Sequence, residues 1–191
     1  GVPAEIGLPF DRPRPKELTY EGGYHIVELD KDLGSKVQAI CVKHDVSLYM
    51  FLLSALNVLL YKLSGNDDIL VGTPTAGRHI PDTEELIGFF VNTLVMRSNL
   101  SGNKTFMQLL SEVRADALQS YEHQDIPFEK LVEFLDIERS TNKNPVFQVM
   151  FDIKNYSSGE QEVFPGLSVQ SIASKIDIAK FHLEFIAHNK S

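Results

Sequence analysis

Three segments of the sequence concentrate polar side chains of the kind that could do chemistry. They are residues 84–97, 123–129 and 144–151. Within the first segment, Asn92 and Thr93 interrupt an otherwise apolar stretch, and a buried amide or hydroxyl costs about 1–3 kcal/mol unless it is hydrogen-bonded. These two side chains therefore either satisfy backbone groups or face a wet cavity, and the sequence favours neither interpretation.

Familiar catalytic centres need arrangements that this sequence does not contain. No glycine-rich loop leads to a lysine, as phosphate binding requires, and no Gly-x-Ser-x-Gly elbow offers a hydrolase nucleophile. The six histidines lack the i, i+4 spacing with acidic partners that metal sites use. Cys41, the only cysteine, lies in a helical pattern and is predicted to be a buried small apolar residue. We therefore expect no bound metal and no complete catalytic set.

Each of the three segments also has a purely structural interpretation. Gly88 beside two phenylalanines suits a tight turn that packs into a core. Asp125 and Pro127 suit the start of a helix, with Asp125 as the N-cap and Pro127 in the first turn. Asn144 and Pro145 suit the approach to a strand.

Hydrophobic periodicity and capping residues predict four helices. The first runs from the cap Asp30 to residue 44, and the second, apolar nearly all round, follows Ser47 over residues 48–63. A capping box of Thr105 and Gln108 starts the third, whose apolar stripe ends at residue 121. The fourth follows Asp125, and four of its side chains are predicted to face the core: Leu131, Val132, Phe134 and Leu135.

Alternating and β-branched residues predict the strands. They cover residues 24–29, 68–75, 91–100, 146–153, 167–172 and 178–188. In the last of these, Phe181, Leu183 and Phe185 form an apolar face opposite a polar one. Helices and strands are interleaved along the chain, so the predicted fold class is α/β, with a mixed sheet flanked by helices.

The bulk composition excludes several classes of protein. Apolar residues make up 43% of the 191 residues and charged residues 23%, which is typical of an ordinary globular domain. The 26 acidic against 18 basic residues give a net charge of −8, which argues against a nucleic-acid partner. No apolar run approaches the roughly 18 residues of a membrane span, and no signal peptide is visible. We expect no membrane segment and a cytoplasmic location.

Taken in this order and spacing, the three segments resemble the later core motifs of the condensation domains of nonribosomal peptide synthetases. Residues 87–94, Ile-Gly-Phe-Phe-Val-Asn-Thr-Leu, are similar to the family's Ile-Gly-x-Phe-Val-Asn-Thr motif. Residues 123–129, His-Gln-Asp-Ile-Pro-Phe-Glu, are similar to its His-Gln-Asp-x-Pro-Phe-Glu motif. Residues 8–15 and 72–78 also resemble the family. Epimerization and heterocyclization domains, which share the fold, depart from residues 88–93, so the resemblance favours condensation.

The resemblance implies a chloramphenicol acetyltransferase-like fold, in which two lobes enclose a tunnel and amide bonds form between carrier-bound thioesters. The family's catalytic histidine belongs to a His-His-x-x-x-Asp-Gly motif ahead of a proline-rich connector, and this sequence lacks that string. Residues 1–20 then correspond to the inter-lobe connector and residues 21–191 to the C-terminal lobe. The chain by itself is expected to be inactive.

The resemblance also implies roles for individual residues. Arg78 is expected to support the active site across the lobes by pairing with the aspartate of the histidine motif, the alternative being a solvated turn arginine. Asn92 and Thr93 are expected to line the tunnel, where they could orient a pantetheine amide. The other motif residues are expected to be structural: Gly88, Phe90, Arg97, His123, Gln124, Asp125, Pro127, Phe128, Asn144 and Pro145.

The implied partners are peptidyl and aminoacyl carrier proteins, the N-terminal lobe and an adjacent adenylation domain. Phosphopantetheine would arrive on the carrier proteins, with no cofactor bound directly by this chain. The alternatives are a non-catalytic docking module for carrier proteins or neighbouring domains, and a free-standing acyltransferase that uses coenzyme A. Because the face that meets the other lobe is apolar, the isolated chain is also expected to self-associate.

Overall fold

The computed structural model describes residues 3, 5–13, 15–137, 140–154 and 178–188. Helices and strands are interleaved, which confirms the predicted mixed α/β class. The helices are α1 (Lys31–Lys43), α2 (Leu48–Ser64), α3 (Phe106–Glu122) and α4 (Phe128–Phe134), with a 3-10 turn at Pro81–Thr83. The strands are β1 (Asp68–Thr75), β2 (Asn92–Asn99), β3 (Val149–Lys154) and β4 (Leu183–His188).

The first three helices begin where their capping residues predict. Asp30 accepts a hydrogen bond from the backbone of Asp32, and Ser47 accepts one from the backbone of Met50. Thr105 and Gln108 form the reciprocal capping box at the start of α3. These contacts satisfy N–H groups that lack a partner inside the helix, so each helix start is fixed by residues within one turn of it.

The four strands form a mixed sheet in the order β2-β1-β3-β4. β1 pairs with β2 in antiparallel fashion and with β3 in parallel fashion, and β3 pairs with β4 in parallel. The central strand β1 is buried on both faces, since α2 and α3 pack on one side and α4 lies on the other. Its own sequence explains this, because residues 69–71 are an unbroken apolar run instead of an alternating pattern.

The two faces of the sheet carry separate apolar clusters. The larger joins α2 and α3 to the sheet through residues that are at most 2% exposed: Leu53, Leu60, Ile69, Val71, Val113 and Val149. The smaller centres on Phe147, whose ring stacks with Phe181 and tilts against Phe128 at the start of α4. Gly72 makes room for this ring, since a Cβ on Gly72 would lie 2.2 Å from Phe147.

The proline-rich segment at the beginning of the chain packs onto this core. Ile6 and Leu8 are buried in the larger cluster. The Ile6 N–H donates to Gln148 Oε1 at 3.2 Å, across 142 positions of sequence, and Asn66 Nδ2 donates to the Ile6 carbonyl at 2.8 Å. The predicted connector, residues 1–20, therefore contributes Ile6 and Leu8 to the core of the lobe that follows it.

The strand predicted at residues 24–29 is wrong. This segment has no strand pairing in the described part of the chain, and its apolar side chains Tyr24, Ile26, Val27 and Leu29 are 66–74% exposed. Nearby, the one pairing seen among the described residues is an isolated bridge between Glu21 and Ile178. Alternation of side chains describes a strand's faces, but a strand forms only where a neighbour supplies backbone hydrogen bonds.

Several other boundaries differ from the predictions. β3 starts at Val149 instead of 146, because Val146 has a φ of +68°, which a strand residue cannot adopt. β4 starts at Leu183 instead of 178. Phe134, predicted to face inward, is 86% exposed, because the short helix α4 ends there. The strand predicted at 167–172 lies outside the described residues.

No single helix in the described ranges is both long and apolar enough to cross a membrane. Helices α1 and α2 together satisfy that test by length and composition alone, and they are bent by 109° at the break between them.

Candidate functional site

Two of the motif segments and the end of β1 meet at one end of the sheet. β1 and β2 are antiparallel with Thr75 opposite Asn92, so the end of one strand lies beside the start of the other. The connection between α3 and α4 packs against the same end, where Gln124 Oε1 accepts a hydrogen bond from Thr75 Oγ1 at 3.0 Å. The structure therefore brings Arg78, Asn92 and Gln124 together from separate parts of the sequence.

Asn92 holds the α3–α4 connection in place. Its Nδ2 donates to the carbonyls of Gln124 at 2.8 Å and Ile126 at 2.7 Å, and its Oδ1 accepts from the Phe128 N–H at 3.1 Å. Both amide hydrogens and the amide oxygen are thus engaged by backbone groups. The sequence left open whether Asn92 satisfies backbone groups or faces a wet cavity, and these contacts match the first interpretation. Thr93 is partly buried beside Asn92. The place of Thr93 in a tunnel wall remains a prediction.

The predicted capping role of Asp125 is wrong. Helix α4 has Pro127 at its N-cap position, one residue before the first turn in which we placed it. The Asp125 carboxylate instead lies 3.2 Å from His79 Nε2, on the segment that follows β1. Proline has no side-chain acceptor for the N–H groups at the start of a helix. At the start of α4, Asn92 of β2 supplies an acceptor instead, for the N–H of Phe128.

Arg78 organises the loop that joins β1 to β2. Its Nη1 donates to the carbonyl of Thr83 and, at 3.3 Å, to that of Glu84; its Nη2 donates to that of Gly88 at 3.4 Å. The guanidinium also lies over the Phe90 ring, 4.4 Å from its centroid. A planar group with five N–H donors can hold several carbonyls of one loop at once, which an ammonium cannot do with the same geometry.

The glycine before Arg78 allows the loop to close. Gly77 has a φ of +63°, and a Cβ at this position would lie 1.9 Å from the carbonyl oxygen of Phe90. Only a residue without a side chain permits this approach of two backbone segments.

The same loop presents apolar side chains outward. Ile87 is fully exposed and Phe89 is 91% exposed. Exposed aliphatic and aromatic side chains two positions apart in one loop mark a surface suited to contact with another protein surface.

The remaining predicted motif residues are spread over the fold. Arg97 pairs with Asp68 through two hydrogen bonds of 2.9 and 2.8 Å at the opposite end of β1 and β2, and this contact raises the pKa of the guanidinium. His123 is exposed and ends α3 through its backbone. Asn144 Nδ2 donates to the Lys180 carbonyl at 2.7 Å, and the Pro145 carbonyl accepts from Phe147.

The sequence interpretation missed a cavity of about 280 Å³ near this end of the sheet, lined by both polar and apolar side chains. It is lined by Ser47, Leu48, Tyr49, Thr73, Pro74, Thr75, Tyr121, Asp152 and Ile153. Burial raises the pKa of Tyr49 far above its usual value, an effect that the Thr73 side chain partly opposes, and burial also raises the pKa of Tyr121. Two features of the sequence could have indicated this cavity: Tyr49 within the apolar run of α2 and Asp152 within the apolar run of β3.

A second, more open cavity of about 520 Å³ lies between the α1–α2 turn and α3. Cys41 lines it but is only 3% exposed, which confirms the predicted buried cysteine. Burial raises the pKa of its thiol, so the nucleophilic thiolate is disfavoured. Among the described residues, no group of three or more His, Cys, Asp or Glu side chains is arranged to hold a metal ion.

Nearly the whole chain, residues 2–191, matches the family model described as Condensation domain. A linear gramicidin synthase protein from Brevibacillus parabrevis is 49% identical over 156 residues, covering 82% of this chain and 3% of that protein. A plipastatin synthase protein from Bacillus subtilis (strain 168) is 46% identical over 178 residues, covering 93% of this chain and 7% of that protein. The chain therefore spans only a small part of these relatives.

Among solved structures, the complex of the X-domain and OxyB from teicoplanin biosynthesis contains a similar fold. It superposes with a TM-score of 0.90 at 25% identity, covering 100% of this chain and 41% of that one.

Proposed function

Because the chain belongs to the condensation-domain family of nonribosomal peptide synthetases, we propose that it forms one lobe of a domain that makes peptide bonds. Its sheet and flanking helices are the predicted chloramphenicol acetyltransferase-like fold. In the proposed reaction, the amine nitrogen of one carrier-bound aminoacyl thioester attacks the thioester carbon of another. A C–N bond forms, the C–S bond breaks, and the proton lost by nitrogen passes through a base to the departing sulfur.

The proposal gives this chain a positioning role and places the base elsewhere. The family's His-His-x-x-x-Asp-Gly motif, which would supply the base, does not occur in this sequence. Cys41, its only thiol, is buried, and burial raises the pKa of the thiol, which disfavours the nucleophilic thiolate. The peptidyl and aminoacyl carrier proteins would present their phosphopantetheine arms to a tunnel between this lobe and an N-terminal lobe. An adenylation domain would load them.

One observation carries this proposal: Arg78, the exposed loop and the α3–α4 connection are joined into one unit at the end of the sheet. Asn92 ties the connection to β2, and Arg78 ties the loop to β1. Such a unit can present a fixed surface to a facing lobe, which suits a wall that orients substrates. Arg78 would support the active site from this position, either by holding the loop or by pairing with a carboxylate of the facing lobe.

Replacing Arg78 by alanine in the two-lobed domain is expected to slow peptide-bond formation by about tenfold to a hundredfold, since misplacing a positioning element by about 1 Å can have that effect. Both carrier proteins would be loaded, and the dipeptidyl carrier would be followed by intact-protein mass spectrometry. The matched control is Arg97→Ala, which removes an arginine paired at the opposite end of the same two strands. It is expected to leave the rate within about twofold, as for surface substitutions of small energetic effect.

Equal losses of the rate of peptide-bond formation in Arg78→Ala and Arg97→Ala would contradict a role specific to Arg78.

A two-lobed domain that binds a labelled carrier protein but forms no product would favour the docking-module alternative. Product formation from coenzyme A thioesters in the absence of carrier proteins would favour the free-standing acyltransferase. Arg78→Lys separates charge from geometry, because lysine keeps the charge but not the planar set of donors.

We propose that the exposed apolar loop contacts the N-terminal lobe and that the isolated chain self-associates through it. Light scattering of the isolated chain at high concentration is expected to give dimers or larger species. The double variant Ile87→Ser and Phe89→Ser is expected to shift the population to monomer. The matched control is Phe134→Ser, which removes an equally exposed aromatic side chain from α4 and is expected to leave the distribution unchanged. A monodisperse wild-type monomer would refute the proposal.

A further inference from the structure

The connector is tied to this lobe through the backbone of Ile6. Two side-chain amides from different parts of the fold, which we call the amide clamp, bind both polar backbone groups of that residue. Gln148 Oε1 accepts from the Ile6 N–H at 3.2 Å. Asn66 Nδ2 donates to the Ile6 carbonyl at 2.8 Å and to the Glu5 carbonyl at 3.3 Å. The two amides therefore satisfy the donor and the acceptor that a neighbouring strand would otherwise pair.

The side chains on either side of Gly7 are buried in the same place. Ile6 is 7% exposed and Leu8 is 8% exposed, and both belong to the larger core cluster. Gly7 between them has a φ of +69°, and a Cβ at this position would lie 3.1 Å from Asn66 Nδ2. A side chain there would press on the amide that holds Ile6. The segment thus fits its groove through backbone and side chains together.

Gln148 is itself held firmly in position. It is 4% exposed, and its Nε2 donates to the Asn144 carbonyl at 3.4 Å. The turn just before it is closed by a hydrogen bond of 2.8 Å from the Phe147 N–H to the Pro145 carbonyl, and Val146 within this turn has a φ of +68°. A β-branched residue adopts such a conformation at a cost, and it persists only where the surrounding structure imposes it, commonly at positions with a function.

The far end of the connector is anchored as well. Thr141 Oγ1 donates to the Lys16 carbonyl at 2.9 Å, and the Thr141 carbonyl accepts from the Leu18 N–H at 3.0 Å. Between the two anchors, Pro9 and Pro13 restrict the backbone to extended conformations. A proline-rich segment held at both ends has little freedom to bend along its length.

We propose that Asn66 and Gln148 are positioning residues that fix where the connector leaves this lobe and thereby set the placement of the facing lobe. The proposal rests on the proposed function, in which the connector joins the two lobes. Linked domains move relative to one another unless contacts hold them. Because both backbone groups of Ile6 are bound, the pivot for motion between the lobes lies ahead of Ile6 in the chain. A fixed pivot keeps the two tunnel walls aligned for the reaction.

The amide clamp is tested on the isolated chain by hydrogen exchange of the Ile6 amide, followed by NMR. Asn66→Asp keeps the size of the side chain and replaces the donor by an acceptor that faces two carbonyls. Exchange at Ile6 is expected to become about threefold faster or more, as for the loss of one hydrogen bond. Exchange at the buried core residue Leu60 is expected to stay unchanged. The matched control Asn103→Asp makes the same substitution at an exposed loop position and is expected to have no effect at Ile6.

The positioning role is tested on the two-lobed domain with one spin label in each lobe. The label in this lobe is attached to Ser111→Cys, an exposed position on α3. Asn66→Asp is expected to broaden the inter-lobe distance distribution by about 3 Å or more, the reach of one freed residue. It is also expected to lower kcat for peptide-bond formation by about threefold to tenfold, while KM for the carrier proteins stays within about twofold.

Gln148→Met removes the other half of the amide clamp and is expected to act in the same direction. Unchanged exchange at Ile6 in both variants would overturn the clamp. Faster exchange with an unchanged inter-lobe distance distribution would overturn the positioning role, and so would equal broadening in Asn103→Asp. If Gln148→Met fails to fold, Asn66→Asp decides alone, because Asn66 is only partly buried.

The exchange and distance measurements involve no reaction. A wild-type two-lobed domain that forms no peptide bond would therefore contradict the proposed function and leave the positioning role standing.

Discussion

Gly77→Ala is expected to lower the free energy of unfolding by about 2–5 kcal/mol. A φ of +63° costs a residue with a Cβ about 1–2 kcal/mol, and overlap with the Phe90 carbonyl adds the cost of an overpacked contact, about 1–3 kcal/mol. The clash is with backbone, so the loop must move as a whole. Urea unfolding followed by circular dichroism measures the loss.

The matched control for this prediction is Gly102→Ala. Gly102 has a φ of +82°, and a Cβ there would meet nothing within 4 Å, so its substitution introduces the backbone strain alone. We expect a loss of about 1–2 kcal/mol. Equal losses in the two variants would show that the close approach of Gly77 to Phe90 contributes nothing. Amide signals of residues 78–90 are expected to shift in Gly77→Ala only.

Asn92→Ala is expected to cost a further large share of the stability, about 2–4 kcal/mol. It leaves the carbonyls of Gln124 and Ile126 and the N–H of Phe128 without their partner, which combines the loss of a helix cap with the loss of two hydrogen bonds. Asn92→Asp is expected to be intermediate, because it retains an acceptor for Phe128 but places a charge against two carbonyls. Chemical denaturation of both variants and the wild type measures the order of their free energies of unfolding.

Thr93→Val provides the comparison at the neighbouring position. No side-chain hydrogen bond of Thr93 exists within the described residues, so the change is expected to stay within about 0.5 kcal/mol. If Asn92→Ala were as mild as Thr93→Val, Asn92 would not be a structural residue, and the prediction that both side chains face the substrate tunnel would gain support.

Features fixed by local contacts were predictable from the sequence. The caps at Asp30, Ser47 and Thr105 act within one turn of their own helix, so spacing alone identifies them. The family motifs likewise singled out Arg78 and Asn92 from the order of residues alone. These residues can be identified from short local stretches of the sequence.

Features that depend on distant partners were not predictable. Helix α4 receives its acceptor from Asn92, so the nearby Asp125 was an attractive but wrong cap. The segment 24–29 has the alternation of a strand without a neighbour to pair with. The cavity of about 280 Å³ is lined by Tyr49, Tyr121 and Asp152 from three different elements, and single polar residues in apolar runs do not indicate where they converge.

The contact between Ile6 and Gln148 bears on how the chain is made. The Ile6 N–H must wait for a partner 142 positions later, and the central strand β1 must wait for β3. On a ribosome that adds about 5–20 residues each second, the early apolar segments remain uncovered for several seconds. Pairings so distant along the chain also slow folding after release. The nascent polypeptide is therefore expected to depend on chaperones until β3 has emerged from the exit tunnel.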